Sequence, residues 1–211
     1  LTPRILNMIY DHKILTETEA KEVSETVLSL SDSFTKRGFF NTLGASVYLD
    51  DLMEYAGLSD KTNPVLEANF GELYKSLMNQ ISELMGLPVE FHPYGAIPGF
   101  HIFGKDSAGK QGHTHEDKPY RRIYWPEPFE SPFSFTIAIN VPGKAGLDVW
   151  LDNKTDQPQY VDYKPGHMYS HFGHILHRIA GVGDPTDENP RITLQGHGAI
   201  LSLSKKVVIY F

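Results

Sequence analysis

Hydrophobic positions along this chain follow two rhythms, one before about residue 86 and another after it. In the first stretch apolar residues recur every three or four positions. Ala20, Val23, Val27 and Leu30 share one side of a helix that Thr16 and Glu19 are placed to open as a capping box. Leu66, Phe70, Leu73, Leu77, Ile81 and Leu84 mark a second, stronger amphipathic helix, predicted from about Pro64 to Met85 and stopped by Gly86 and Leu87-Pro88. The intervening RGFFNTLGASVYLDD fits neither rhythm and reads as loop or short strand.

From about Val89 short apolar runs alternate with Gly, Pro, Asn and Asp: GFHIFG, RRIYW, FSFTIAINV, LDVWLD, HMYSHF, ILHRIAGV, RITLQGHGAI and SKKVVIYF. Short strands separated by turn signals predict a jelly roll or similar β-barrel, with the two helices buttressing one sheet. No linker, repeat or low-complexity tract interrupts the chain. The expected organisation is a single domain over 1–211, a helical buttress over 1–86 and a β core over 87–211.

At 211 residues the chain is long enough for a substantial core, and 40% hydrophobic against 21% charged residues is ordinary for a globular protein. A net charge of −7 gives no electrostatic footprint for duplex nucleic acid or an anionic membrane, so neither partner is expected. No apolar run reaches the length of a membrane span, and a cytoplasmic location is expected. Cysteine is absent, which removes disulfides, thiolate ligands and thiol nucleophiles. Any metal must therefore be held by His, Asp or Glu.

The candidate chemistry sits in GKQGHTHEDKPY, where His113, His115 and Asp117 occupy alternate positions. In a strand, alternate side chains share a face about 6.6 Å apart, close enough for two of them to converge on an ion with bonds of about 2.1 Å. Positions four apart, about 13 Å, are too distant. His113–His115 and His115–Asp117 are thus rival chelating pairs: two histidines suit a cupin site, and a histidine with a carboxylate suits the 2-His-1-carboxylate triad of non-haem iron enzymes. Downstream, His177 lies in the apolar run LHRI, with His171 and His174 as rivals in HFGHILH. Arg191 and Thr193 share one face of a later strand, a guanidinium fork beside a hydroxyl that suits a carboxylate.

His115-Glu116-Asp117, then LHRI with His177, then Arg191 with Thr193, together resemble the Fe(II)- and 2-oxoglutarate-dependent oxygenases. GKAGLDVWLD and KPGHMYSHFGHILHRI are similar to the turns and strands lying between and before that family's histidine motifs. The resemblance covers roughly Phe91 to Tyr210. It implies a double-stranded β-helix, Fe(II) on His115, Asp117 and His177, and 2-oxoglutarate held through its far carboxylate by Arg191 and Thr193. O2 is the oxidant, with succinate and CO2 as co-products. Under this reading no side chain is assigned acid, base or nucleophile duty. His113, His101 and Arg121 are the candidate substrate contacts. The expected reaction is hydroxylation of an unactivated C–H of a small molecule, with an amino acid or related metabolite as the class considered. Asp117 stands where halogenating relatives carry Gly or Ala, so halogenation is not expected. The alternative reading is a metal-binding cupin (an isomerase, another dioxygenase or a sensor) that does without 2-oxoglutarate.

Overall fold

The structure, a computed structural model, describes residues 9–151 and 157–211. It is mostly β, with two long helices and strands that pair antiparallel almost throughout. Helix α1 spans Glu17–Ser29 and opens as the sequence predicts: Thr16 Oγ1 accepts from the Glu19 amide at 3.2 Å, and the Glu19 carboxylate accepts from the Thr16 amide at 2.7 Å.

Helix α2 spans Leu52–Met85, twelve residues longer at its start than the expected Pro64 boundary. Its cap is Asp51, which accepts from the amides of Met53 and Glu54 at 2.9 Å each. Proline inside a helix removes a donor and clashes with the preceding turn, at a cost of about 3 kcal/mol, so Pro64 reads locally as a start. Tertiary packing overrides it. Tyr55, Ser59 and Thr62 are buried upstream of the proline, and the Tyr55 hydroxyl donates to the Phe211 carbonyl at 2.9 Å while accepting from the Ala96 amide at 2.7 Å. The helix departs from helical geometry at Phe70 and ends at Gly86, whose left-handed φ of 66° a side chain would resist.

Among the described residues, twelve strands follow in order as β1 Tyr10–Lys13, β2 Thr35–Arg37, β3 Phe40–Leu43, β4 Val89–Phe91, β5 Gly99–Phe103, β6 Phe129–Asn140, β7 Ala145–Trp150, β8 Gln159–Asp162, β9 His167–Phe172, β10 Leu176–Val182, β11 Arg191–Leu201 and β12 Lys206–Tyr210. The segment between the helices, ambiguous in sequence, supplies β2 and β3, so the first 86 residues contribute three strands as well as both helices. Among the predicted strands RRIYW does not form one. A short 3-10 turn at Pro119–Arg121 leads into it, and prolines at 119 and 126 deprive both flanks of a ladder donor.

The large sheet runs β1-β9-β6-β11-β5-β3-β2, with β12 joining β11 and β4 pairing β12 in parallel. A small sheet runs β10-β7-β8. On β5 and β11 the alternation of a strand does the sorting. Phe100, Ile102, Ile192 and Leu194 join the main core with Leu66, Phe70, Leu73 and Leu77 of α2. The residues between them, His101, Phe103, Arg191, Gln195 and His197, line a cavity of about 310 Å³ to which the small sheet adds Leu147, His177 and Ile179. Among the described residues, no helix is long and apolar enough to cross a membrane.

Candidate metal centre and pocket

The stretch Gly109–Tyr120 carries two of the three predicted donors, yet it is not the strand that the alternation suggested. Only His115 makes a β-bridge, and its partner is His177: each amide donates to the other's carbonyl at 3.0 Å. The Gly112 amide also donates to the Ile179 carbonyl of β10 at 3.1 Å, but no further bridge forms, and Lys118-Pro119 turns the chain away. His113 therefore does not share a strand face with His115. Its side chain is exposed and absent from the pocket lining, and its carbonyl accepts from His115 Nδ1 at 2.7 Å.

His115, Asp117 and His177 nevertheless converge, with one donor atom from each lying within 4.8 Å of the others. His115 Nε2 is 3.6 Å from Asp117 Oδ1, and His177 Nε2 is 3.5 Å from Asp117 Oδ2. His177 projects from β10, and its Nδ1 lies 2.9 Å from the Ile175 carbonyl. A carbonyl can only accept, so Nδ1 carries the proton in both histidines and each Nε2 turns a lone pair to the shared point. Backbone carbonyls fixing ring and tautomer in this way are the usual support of a metal-binding histidine. Strand β10 is itself steadied by Arg178, which grips Asp148 of β7 through Nε and Nη2, both at 2.9 Å, and lies over Trp150.

Burial alone would raise the Asp117 carboxyl, but the imidazoles of His177, His197 and His171 and the Ser134 hydroxyl hold it below the usual carboxylate range. Burial pushes the pKa of His177 down as well. Asp117 is thus ionised and His177 neutral, the forms in which these groups bind metal. The backbone fits closely: a Cβ at Gly173, in the turn between β9 and β10, would come within 2.9 Å of the Asp117 carbonyl oxygen. Of the two rival histidines, His171 is buried with its ring centroid 4.5 Å from that of His177, and burial lowers its pKa to about 4. His174 is exposed.

The opposite wall comes from β11 and β5. Arg191 is 1% exposed and sits between the rings of Phe103 at 5.0 Å and Tyr163 at 5.3 Å. Its Nη1 donates to the Gly181 carbonyl at 3.2 Å, while Nε has no partner. Thr193 stands opposite His101 in the β11–β5 register, and neither Thr193 Oγ1 nor His101 Nε2 has a partner. Burial lowers the guanidinium pKa, and burial with nearby Arg191 takes His101 to about 3, so its ring is neutral. Three orphaned buried polar atoms cost free energy in an empty pocket, and a carboxylate between them would satisfy what the protein leaves open. Arg191 and His101 line the cavity; Thr193 is buried beside them, and Arg121 is exposed away from it against the Tyr120 ring.

Three contributors were not read from sequence. His197 lines the cavity with Nδ1 2.9 Å from Ser134 Oγ and 4.0 Å from Asp117 Oδ2. The series 191, 193, 195, 197 on one face of β11 could have flagged it. Tyr48 donates to Asp117 Oδ1 at 3.3 Å and accepts from the Lys118 amide, from a loop without periodicity.

No protein-family model matches the sequence, and no curated protein matches it. The fold does match solved structures. An N-substituted L-amino acid dioxygenase from Burkholderia ambifaria superposes with a TM-score of 0.57 at 13% identity, over 96% of this chain and 86% of that one. A non-haem α-ketoglutarate-dependent epimerase, SnoN from nogalamycin biosynthesis, gives 0.56 at 13% identity over 92% and 78%. A prolyl hydroxylase from Trichoplax adhaerens, in complex with a hypoxia-inducible factor peptide fragment, gives 0.53 at 13% identity over 90% and 82%.

Proposed function

We propose that this chain, which shares the fold of the 2-oxoglutarate-dependent oxygenases, is itself an Fe(II)- and 2-oxoglutarate-dependent oxygenase on a double-stranded β-helix. The observation that carries the reading is one pocket with two ends: His115, Asp117 and His177 at one, and the buried, under-satisfied guanidinium of Arg191 at the other. The donor set fits Fe(II), because two imidazoles and a carboxylate leave coordination positions open. Once bound, iron would supply the activation of O2 at the expense of 2-oxoglutarate, giving succinate and CO2.

The chain's own work is orientation. Backbone carbonyls aim both Nε2 atoms, Tyr48 and Ser134 hold the Asp117 carboxylate, and Arg191 with Thr193 and His101 receives the far carboxylate of the co-substrate. Asp117 offsets part of the ion's charge and fills the position that a halide would need, which supports hydroxylation or desaturation of a small molecule. Succinate release dependent on both Fe(II) and 2-oxoglutarate, measured over a substrate panel, tests the assignment. Mass spectrometry of the product in chloride buffer tests the reaction class, and a chlorinated product would remove Asp117 from the metal. A cupin working without 2-oxoglutarate gives Arg191 no role, so metal binding without any 2-oxoglutarate binding would favour that alternative.

A further inference from the structure

We propose that the stretch 39–53 forms a substrate-recognition platform, and that the substrate presents to it an uncharged, apolar ring body. This rests on the oxygenase reading above. Five of the nine large hydrophobic side chains exposed among the described residues fall in this stretch: Phe39, Tyr48, Leu49, Leu52 and Met53. Single exposed apolar residues are ordinary, but a cluster at the mouth of a pocket marks a binding surface. Phe39, Tyr48 and Leu49 line the cavity that holds the metal donors, at 40%, 37% and 41% exposure.

The exposure is built in, because the turn that presents these side chains is fastened at several points. Asp50, buried, accepts from the Ser46 amide at 2.8 Å and pairs with Arg37. Arg122 donates to the carbonyls of Tyr48 at 3.1 Å and Asp50 at 3.4 Å, and the Tyr48 hydroxyl ties the turn to Asp117 and Lys118. The charges also argue for an uncharged guest. Among the described lining residues Arg191 is the only lysine or arginine, and it stands at the co-substrate wall. The two arginines beside the platform are engaged by Asp50 and by carbonyls. A substrate carboxylate would find no cation there. An aromatic or alicyclic body would cover Phe39 and Leu49 and remove apolar surface from water. Free amino acids with polar side chains are therefore second to such molecules.

The test uses the full chain loaded anaerobically with Mn(II) and 2-oxoglutarate, titrated with the uncharged fluorophore N-phenyl-1-naphthylamine. One saturable site is expected, weakened about tenfold or more in Phe39→Ser/Leu49→Ser, and unchanged in the control Leu203→Ser, which removes a more exposed apolar side chain elsewhere. In the double variant Mn(II) and 2-oxoglutarate affinities should stay within about twofold of the parent. In a separate aerobic assay with Fe(II) and 2-oxoglutarate, indane and naphthalene should raise succinate release above its substrate-free level, and serine and glutamate should not. Equal probe binding by the parent and double variant, or stimulation by the polar amino acids alone, overturns the proposal. If the parent fails to bind 2-oxoglutarate, the oxygenase reading falls instead, and the same titration on the metal-free proteins still decides whether the platform binds.

Discussion

The two ends of the pocket are built on opposite terms. At the candidate metal end the protein completes its own hydrogen bonding: His115 and His177 each have Nδ1 spoken for by a carbonyl, and the Asp117 carboxylate is held by a phenol and a serine. At the Arg191 end three buried polar atoms are left without partners. The first arrangement fixes direction, so that the Nε2 lone pairs already point at one shared position. The second stores an unmet demand, which a ligand of matching charge and shape would meet. Satisfaction and its absence are thus both functional signals, of different kinds.

The largest expected effect comes from removing direction. His177→Ala or Asp117→Ala should abolish stoichiometric binding of Mn(II) or Co(II), read by calorimetry, and normal binding by His177→Ala would reassign the distal ligand. Next is the unmet demand. Arg191→Ala should weaken 2-oxoglutarate about 30-fold or more, about 2–4 kcal/mol, while metal binding persists.

Thr193→Val sharpens the contrast. Removing an orphaned hydroxyl should leave the unliganded protein as stable or more stable by up to about 1 kcal/mol, yet weaken 2-oxoglutarate several-fold. If the variant instead destabilises the unliganded protein, the hydroxyl is already satisfied and the two ends do not differ in kind.

A pH dependence follows from the buried histidines away from the ligands. Burial lowers His92 to about 4 and His101 to about 3, below their ordinary 6.5. The unfolded chain therefore takes up protons that the folded chain refuses, and stability falls as pH drops through the window from about 6.5 towards 4, by at most about 1.4 kcal/mol per pH unit for each histidine. Thermal unfolding of the metal-free protein at pH 7 and pH 5 should show the lower midpoint at pH 5. The smallest effect is expected for Tyr48→Phe, which removes one hydrogen bond to Asp117 and should weaken metal by several-fold.

Much of this was legible in the sequence where a residue's role follows from a regular element. The amphipathic period gave α1 with its capping box, and the alternation on β11 put Arg191 and Thr193 on one face. His115, Asp117 and His177 were named as a set, and they do converge, but for a reason other than the one expected. A strand was inferred from spacing, whereas a loop pinned by one bridge brings the donors together. Spacing in sequence constrains where side chains can reach, and it does not say which backbone carries them. The N-terminus of α2 was misplaced because proline's local penalty was outweighed by burial of residues far from it in sequence. Tyr48 and the platform around it lie in a segment whose conformation is set by Arg122, Arg37 and Asp117, contacts 13 to 74 residues apart that no local pattern announces.

The reciprocal bridge between His115 and His177 has a thermodynamic consequence. Together with the Gly112 amide on the Ile179 carbonyl at 3.1 Å and Tyr48 on Lys118, it pins the donor loop before any ion arrives. The conformational entropy of ordering that loop is charged to folding, so it does not reappear as a penalty on metal affinity. Metal uptake should then proceed with little change in amide hydrogen exchange across 109–120, the behaviour of a preorganised receptor and not of a segment that folds on its ligand.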